Sequence, residues 1–404
     1  MLFTLEAVKA KHGDSLLLRY GKPASPHLIV IDGGPSGVYG SEQAPGPLRR
    51  RLLALRDERS KDKPLPIKLL MVSHIDDDHI GGVLELTREL ANLDKEGKAP
   101  PFLIKGLWHN SFNDILGDEG DELFKTVGGA AKSVSVGQSP STAGLPNHEA
   151  MVVASVPQGR QLREDASALA IRINTSPPVK GLVCASDDRA TVVDMGDGLT
   201  FTVLGPKLSQ LKNLRKSWDK EIKRLKKAGK LDEANAAAFG DDRSVYNLSS
   251  IIVLAECGGK TMLLTGDSLC DHILSGLESA GKLPPGGSLH VDLLKLPHHG
   301  SMRNINQRFF ERVTADHYVI SANGRDDNPD LGTLEALTAA RKAVAAKPAT
   351  ILLTTLVEEQ QTDKHAIERA IAFIEAHTTE GNYQLELRAK EDLSVRIDLL
   401  PTRL

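Results

Sequence analysis

Residues 69 to 82 read LLMVSHIDDDHIGG: an apolar run, then five ionisable side chains within six positions, then a Gly-Gly pair. The apolar stretch IKLLMVSH has no polar face, which predicts a central strand buried on both sides. The GGVLELTRELANLD that follows spaces its apolar residues as one face of a helix. His74, Asp76, Asp77, Asp78 and His79 therefore occupy a strand-to-helix turn, as in layered α/β folds. Aspartates near a helix start are favourable on their own. That accounts for one or two of them, but not for a histidine on each flank. A metal site accounts for all but one. His74 and Asp76 are two residues apart and point the same way in extended chain. Asp78 and His79 fall where the helix begins and face a second position. Asp77 is expected to point away and to be replaceable, and Gly81 and Gly82 to let the helix start close to the site.

The rest of the chain alternates in the same manner. SLLLRYG and HLIVIDGGP read as strands, and GPLRRRLLALRDERS reads as a charged amphipathic helix. PFLIKGLWHNS is one strand ending at His109-Asn110. LTFTVLGP returns to strand, and SSIIVLAECGGKTMLLTGDS gives two strands joined at Gly258-Gly259. HVDLLKLPHHGS, HYVISANG, ATILLTTL, YQLELRA and LSVRIDLL are further strands, with helices near TLEALTAARKAVA and KHAIERAIAFIEAHT. No repeat and no low-complexity linker divides the 404 residues. One domain is expected over 1–404, with insertions at about 112–198 and 207–243.

Two more strand ends carry potential ligands: Asp267 in LLTGDS, and His298 and His299 in LPHHGS. Strand ends along one rim of a sheet are where α/β folds bind ligands. Mixed imidazole and carboxylate donors suit zinc, manganese or iron.

With these residues in order, the chain resembles the metallo-β-lactamase-fold hydrolases. Their H-x-H-x-D-H signature appears here as His74-Ile75-Asp76-Asp77-Asp78-His79. Together with LLTGD, HHGS, HGDSLLLRYG and LIVIDGG, this variant is similar to the soluble hydrolase domain of competence-type DNA-uptake channel proteins. The resemblance covers roughly residues 1–82 and 199–335. It implies a four-layer αββα sandwich with helical insertions, holding one or two divalent ions. Carried over by residue, His74 and Asp76 hold one metal, Asp78 and His79 a second, and Asp267 bridges both. His299, which precedes Gly300, completes the second site, and His298 is left to meet substrate.

Two departures follow from the resemblance. The middle histidine of the family is missing: FTVLGPK has Gly205 where it belongs, and His109 is a weaker stand-in. SANGRDDNPD has Asp326, Asp327 and Asn328 in a loop where relatives often carry a histidine. With Asp76 replacing a histidine as well, the ligand set is carboxylate-rich, which favours manganese or magnesium over zinc. Asp14 and Asp32 are read as turn residues, Asp32 with the alternative of bonding a ligand's imidazole.

The expected activity is metal-dependent hydrolysis by an activated water, with Asp78 or Asp267 taking its proton. A phosphodiester in a nucleic acid or nucleotide is the first substrate class. A small ester, lactone, thioester or amide is the alternative, and a non-catalytic metal-stabilised module the third. Residues 207–230 carry ten Lys or Arg and two acids, a basic helix that could track a phosphate backbone, with Trp218 within it. A net charge of -3 does not argue for a dedicated nucleic-acid or membrane binder. No apolar run is long enough to span a bilayer. Cys184, Cys257 and Cys270 are far apart and suit a reducing, cytoplasmic setting without disulfides.

Overall fold

The computed structural model describes residues 1–110, 147–212, 216, 249–345, 347–360 and 365–400. Two sheets face each other. The first has the order β17 (Ser394–Leu400), β1 (Leu2–Val8), β2 (Leu16–Gly21), β3 (His27–Ile31), β5 (Leu69–Met71), β7 (Gly106–Trp108), β8 (Arg172–Ile173). The second runs β16 (Tyr383–Leu387), β15 (Ala349–Leu353), β14 (Val313–Ile320), β13 (Leu289–Lys295), β12 (Lys260–Leu264), β11 (Ile252–Cys257), β10 (Leu199–Gly205), β9 (Thr191–Gly196).

The period-2 geometry of a strand explains the layering. Leu16, Leu18, Ile29, Ile31, Leu69 and Met71 point inward and meet Val203, Val253, Met262 and Leu264 of the opposite sheet. The intervening Leu17, Leu28, Val30 and Leu70 point outward, onto α1 (Pro47–Arg59), α2 (Asp77–Lys95) and α3 (Asn147–Ala168). On the far side, Leu254, Leu263 and Leu294 pack beneath α4 (Cys270–Ser279), α5 (Gln307–Arg312), α6 (Leu331–Ala343) and α7 (Ala366–Ala376). Strands that are apolar on both faces thus separate two outer helical layers, which is the αββα sandwich.

Several elements differ from the sequence reading. PFLIKGLWHNS breaks in two, and IKLLMVSH supplies only β5 and the last residue of a short strand before it. That strand, β4 (Leu65–Ile67), pairs with β6 (Phe102–Ile104) in a small separate sheet, while β5 and β7 join the large one. Within the segment expected as the insertion 112–198, the described part supplies α3, β8 and β9 to the layers themselves. β1, α4 and α5 also lie where no element was expected. Most of the basic run 207–230, with Trp218, lies outside the described residues. The three cysteines are free thiols, and no described helix is long and apolar enough to cross a membrane.

Candidate metal centre

Three sequence-distant segments meet at one edge of the sandwich: the turn from β5 into α2, the end of β12, and the turn after β13. Asp267 stands at their centre. Its carboxylate lies 3.8 Å from His74 Nε2, 3.3 Å from His79 Nε2, 3.6 Å from His298 Nε2 and 3.5 Å from His299 Nε2. Asp78 adds a second carboxylate, 3.4 Å from His299 Nε2 and 4.0 Å from His79 Nε2. Donor atoms of Asp78, His79, Asp267 and His299 all fall within 4.8 Å of one another. Asp76 stands at the N-cap of α2 but makes no side-chain capping bond. Its oxygen instead lies 3.5 Å from His74 Nε2.

The outer nitrogen of each of these histidines is engaged, and this fixes which nitrogen faces inward. His79 Nδ1 donates to Asp32 Oδ2 at 2.9 Å, and His299 Nδ1 to the Ser321 carbonyl at 2.8 Å. His74 Nδ1 bonds Ser73 Oγ at 3.1 Å, and that hydroxyl donates to Asp32 at 2.7 Å. His298 Nδ1 donates to Asn304 Oδ1 at 2.7 Å, while Asn304 Nδ2 donates to the Asp267 carbonyl at 2.9 Å. All four rings therefore present Nε2 towards Asp267. Nε2 of His74, His79 and His299 and Oδ1 of Asp267 are buried with no hydrogen-bond partner among the described residues. Unpaired buried polar atoms are costly. Convergent lone pairs from imidazole and carboxylate are what a divalent ion requires, so these residues fit one.

The backbone is built for this approach. His298, His299 and Gly300 have successive φ values of 46°, 54° and 85°, a left-handed run that non-glycine residues adopt under strain. It turns the two neighbouring imidazoles to different uses. His299 is buried within the four-residue group, and His298 opens onto the pocket above it.

Other expected residues lie elsewhere. The His109 ring is not in the group around Asp267, and its backbone N–H and carbonyl both bond the Asn174 side chain. Gly205 supplies no ligand, and a Cβ there would come 2.7 Å from Ile252. Asp326 and Asn328 line the pocket, whereas Asp327 is 3.6 Å from Arg369. Asp77 is outside the metal group but not idle: it accepts from Gln158 of α3 at 2.7 Å. Asp32 has the role of orienting His79, beyond that of a turn residue. Sequence reading missed Lys295, which is fully buried and 2.7 Å from Asp14. A lysine at a strand end carries no sign that a carboxylate from β2's leading turn will cover it.

Electrostatics of the metal-free centre follow from the packing. Burial alone would raise the Asp78 and Asp267 carboxyls, but the imidazoles of His79 and His299 hold both well below the usual range. Burial alone would lower the histidines. Asp267, Asp32 and Asp78 instead raise His79 well above its ordinary value, and Asp267 and Asp14 bring His299 up to about 10. The raised histidines stabilise the fold fully below their unfolded pKa of ~6.5. That contribution fades as pH climbs through about 10 for His299. The depressed carboxyls contribute above ~3.9 and lose that contribution as pH falls further. At pH 7.5 a divalent ion must displace protons from His79 and His299, so uptake should release about two protons. Calorimetry of metal binding in buffers of differing ionisation enthalpy measures this directly. A slope of zero would contradict the geometry.

Residues 15–149 match the family model described as Metallo-beta-lactamase superfamily. The match contains the His74–His79 turn, while Asp267, His298 and His299 lie beyond its end. Over those residues the fold is that of a metallo-β-lactamase domain, and members of that superfamily are mostly metal-dependent hydrolases.

Proposed function

We propose that this chain is a metal-dependent phosphodiesterase acting on a nucleic acid or nucleotide, with Asp267 bridging two ions. His74 and Asp76 would hold one ion, and Asp78, His79 and His299 the other. The single observation that carries the metal reading is the convergence of four Nε2 atoms on the Asp267 carboxylate. Bound ions of this class, zinc or manganese, would polarise a phosphoryl oxygen and make water nucleophilic near neutral pH.

The chain's own residues then divide the work. Asp267 is almost wholly buried and suits the bridging place, while Asp78 reaches the pocket and suits the acceptor of the attacking water's proton. His298 keeps its Nδ1 proton on Asn304 and turns Nε2 to the site, where it can hold or deliver a proton at the leaving oxygen. The strained backbone at His298 fixes that position before substrate arrives.

Two sequence features support the phosphodiester over a small ester or lactone: the similarity to DNA-uptake hydrolase domains and the basic run 207–230. The test is metal analysis of the purified protein with a panel of single- and double-stranded DNA, RNA, a bis-phosphodiester reporter and a β-lactam reporter. Cleavage of the phosphodiesters with loss on chelation is expected, and turnover of the β-lactam alone would overturn the reading. Neutralising Lys223, Arg224, Lys226 and Lys227 together should flatten the salt dependence of nucleic-acid binding by about three to four ions.

A further inference from the structure

The pocket at the metal group is lined by Asp78, His298 and His299 of that group, and also by His12, Asn323, Arg325, Asp326 and Asn328. Arg325 is unusual in this acidic setting because no carboxylate among the described residues lies within 4.0 Å of it, although its charge reaches Asp77 from further off. Its Nη1 instead donates to His12 Nε2 at 2.6 Å. A guanidinium offers only donors, so His12 Nε2 must be the acceptor and Nδ1 carries the ring proton. His12 Nδ1 is buried and has no partner among the described residues. Asn323, 2% exposed, accepts the Arg325 backbone N–H through Oδ1 at 3.2 Å, while its Nδ2 is also without a partner.

The loop that holds these groups is pinned. Gly324 N–H donates to the Asn328 carbonyl at 3.0 Å, and Asn328 N–H to the Arg325 carbonyl at 3.1 Å. Gly324, Asp326 and Asp327 have φ values of 88°, 56° and 65°, left-handed conformations that turn the chain tightly around Arg325. A fixed cation and two buried donors with no protein acceptor, set beside a metal group, form a site for an external acceptor of negative charge.

We infer that Arg325, Asn323 and His12 form an oxyanion subsite that takes a non-bridging phosphoryl oxygen of the substrate. This assignment rests on the phosphodiesterase reading for the identity of the anion. A carboxylate has the same acceptor chemistry, and the test separates the two. Asp326 lines the pocket beside Asp78, and its repulsion would favour anions that reach the metals as well.

The experiment is calorimetric titration of inorganic phosphate, and in parallel acetate, into the metal-loaded full-length protein and three variants. Arg325→Gln should weaken phosphate at least about tenfold with metal content unchanged, as loss of a charge-assisted hydrogen bond requires. Arg325→Lys keeps the charge without the fork and should fall between. Asn323→Asp keeps the Oδ1 acceptor for Arg325 and replaces only the unpartnered donor, so it should weaken phosphate as well. Phosphate affinity unchanged in Arg325→Gln would overturn the subsite. Acetate depending on Arg325 while phosphate does not would overturn the phosphoryl assignment. Arg325-dependent phosphate binding in a protein that cleaves no phosphodiester would leave the subsite standing and remove the phosphodiesterase reading.

Discussion

Asp267→Ala is expected to lose bound metal and to lower kcat/KM at least ~10³-fold, equivalent to about 4 kcal/mol of transition-state stabilisation. The size of the effect comes from position. Among the described residues, this carboxylate is the one group within 4 Å of all four inward-facing imidazoles. Every other candidate ligand reaches fewer of the others. On the bridging assignment, removing it would take a donor from both proposed metal positions at once, and would change the charge of the centre besides. In the metal-free protein His79 and His299 remain protonated because carboxylates outweigh their burial, with Asp267 the foremost of those carboxylates at each. Without Asp267 both should shed their protons at lower pH, and histidine resonances followed by NMR should report it. Metal content and circular dichroism of the variant complete the measurement. A folded Asp267→Ala protein that retained stoichiometric metal and near-native turnover would end the bridging assignment.

The residues legible in the sequence were those whose chemistry is conspicuous where it stands. Two histidines and three aspartates after an apolar strand have few structural uses, and Gly-Asp and His-His at two later strand ends added to them. Continuous apolar runs made β2, β3, β11 and β12 readable, and alternation of apolar residues with threonine did the same for β10. What stayed hidden depends on partners far away in the chain. Asp32 is 47 residues from His79, and Lys295 meets Asp14 from the opposite sheet. Arg325 and His12 are 313 residues apart. Nothing local distinguishes a lysine that ends 1% exposed from one in solvent. The same holds for β1, whose Glu6 faces outward and yet is covered by Arg51 and Arg19. His109 fell in sequence where a ligand was wanted, but the group of Asp78, His79, Asp267 and His299 does not include it.

Gly13→Ala should disable the centre as thoroughly as a ligand mutation, though residue 13 offers no side chain to a metal. A Cβ at position 13 would lie 1.8 Å from the Asp78 carbonyl oxygen, well inside van der Waals contact. The approach is close because the turn after β1 is stitched to the start of α2. Asp14 N–H donates to the Asp78 carbonyl at 3.2 Å, Gly34 N–H to the Asp14 carbonyl at 2.7 Å, and Gly33 N–H to the His79 carbonyl at 2.8 Å. The β-methyl can be accommodated only if that turn or the first turn of α2 moves. The first path withdraws Asp14 from Lys295 and His299, and the second withdraws Asp78 from His299, which it now meets at 3.4 Å. Overpacking of this kind costs about 1–3 kcal/mol of stability, and here the upper end is expected because the nearest atoms the Cβ meets, O and C of Asp78, belong to backbone. Gly106→Ala is the matched control: it lies on β7 of the same sheet, and its Cβ would come no nearer than 3.7 Å to any neighbour. Urea unfolding should show a loss of ~3 kcal/mol for Gly13→Ala and little change for Gly106→Ala. Metal affinity should fall more than about tenfold in the first alone. Gly13→Ala with wild-type metal affinity would mean that the turn yields without disturbing Asp78, and that the backbone stitching between β1 and α2 does not position the ligands.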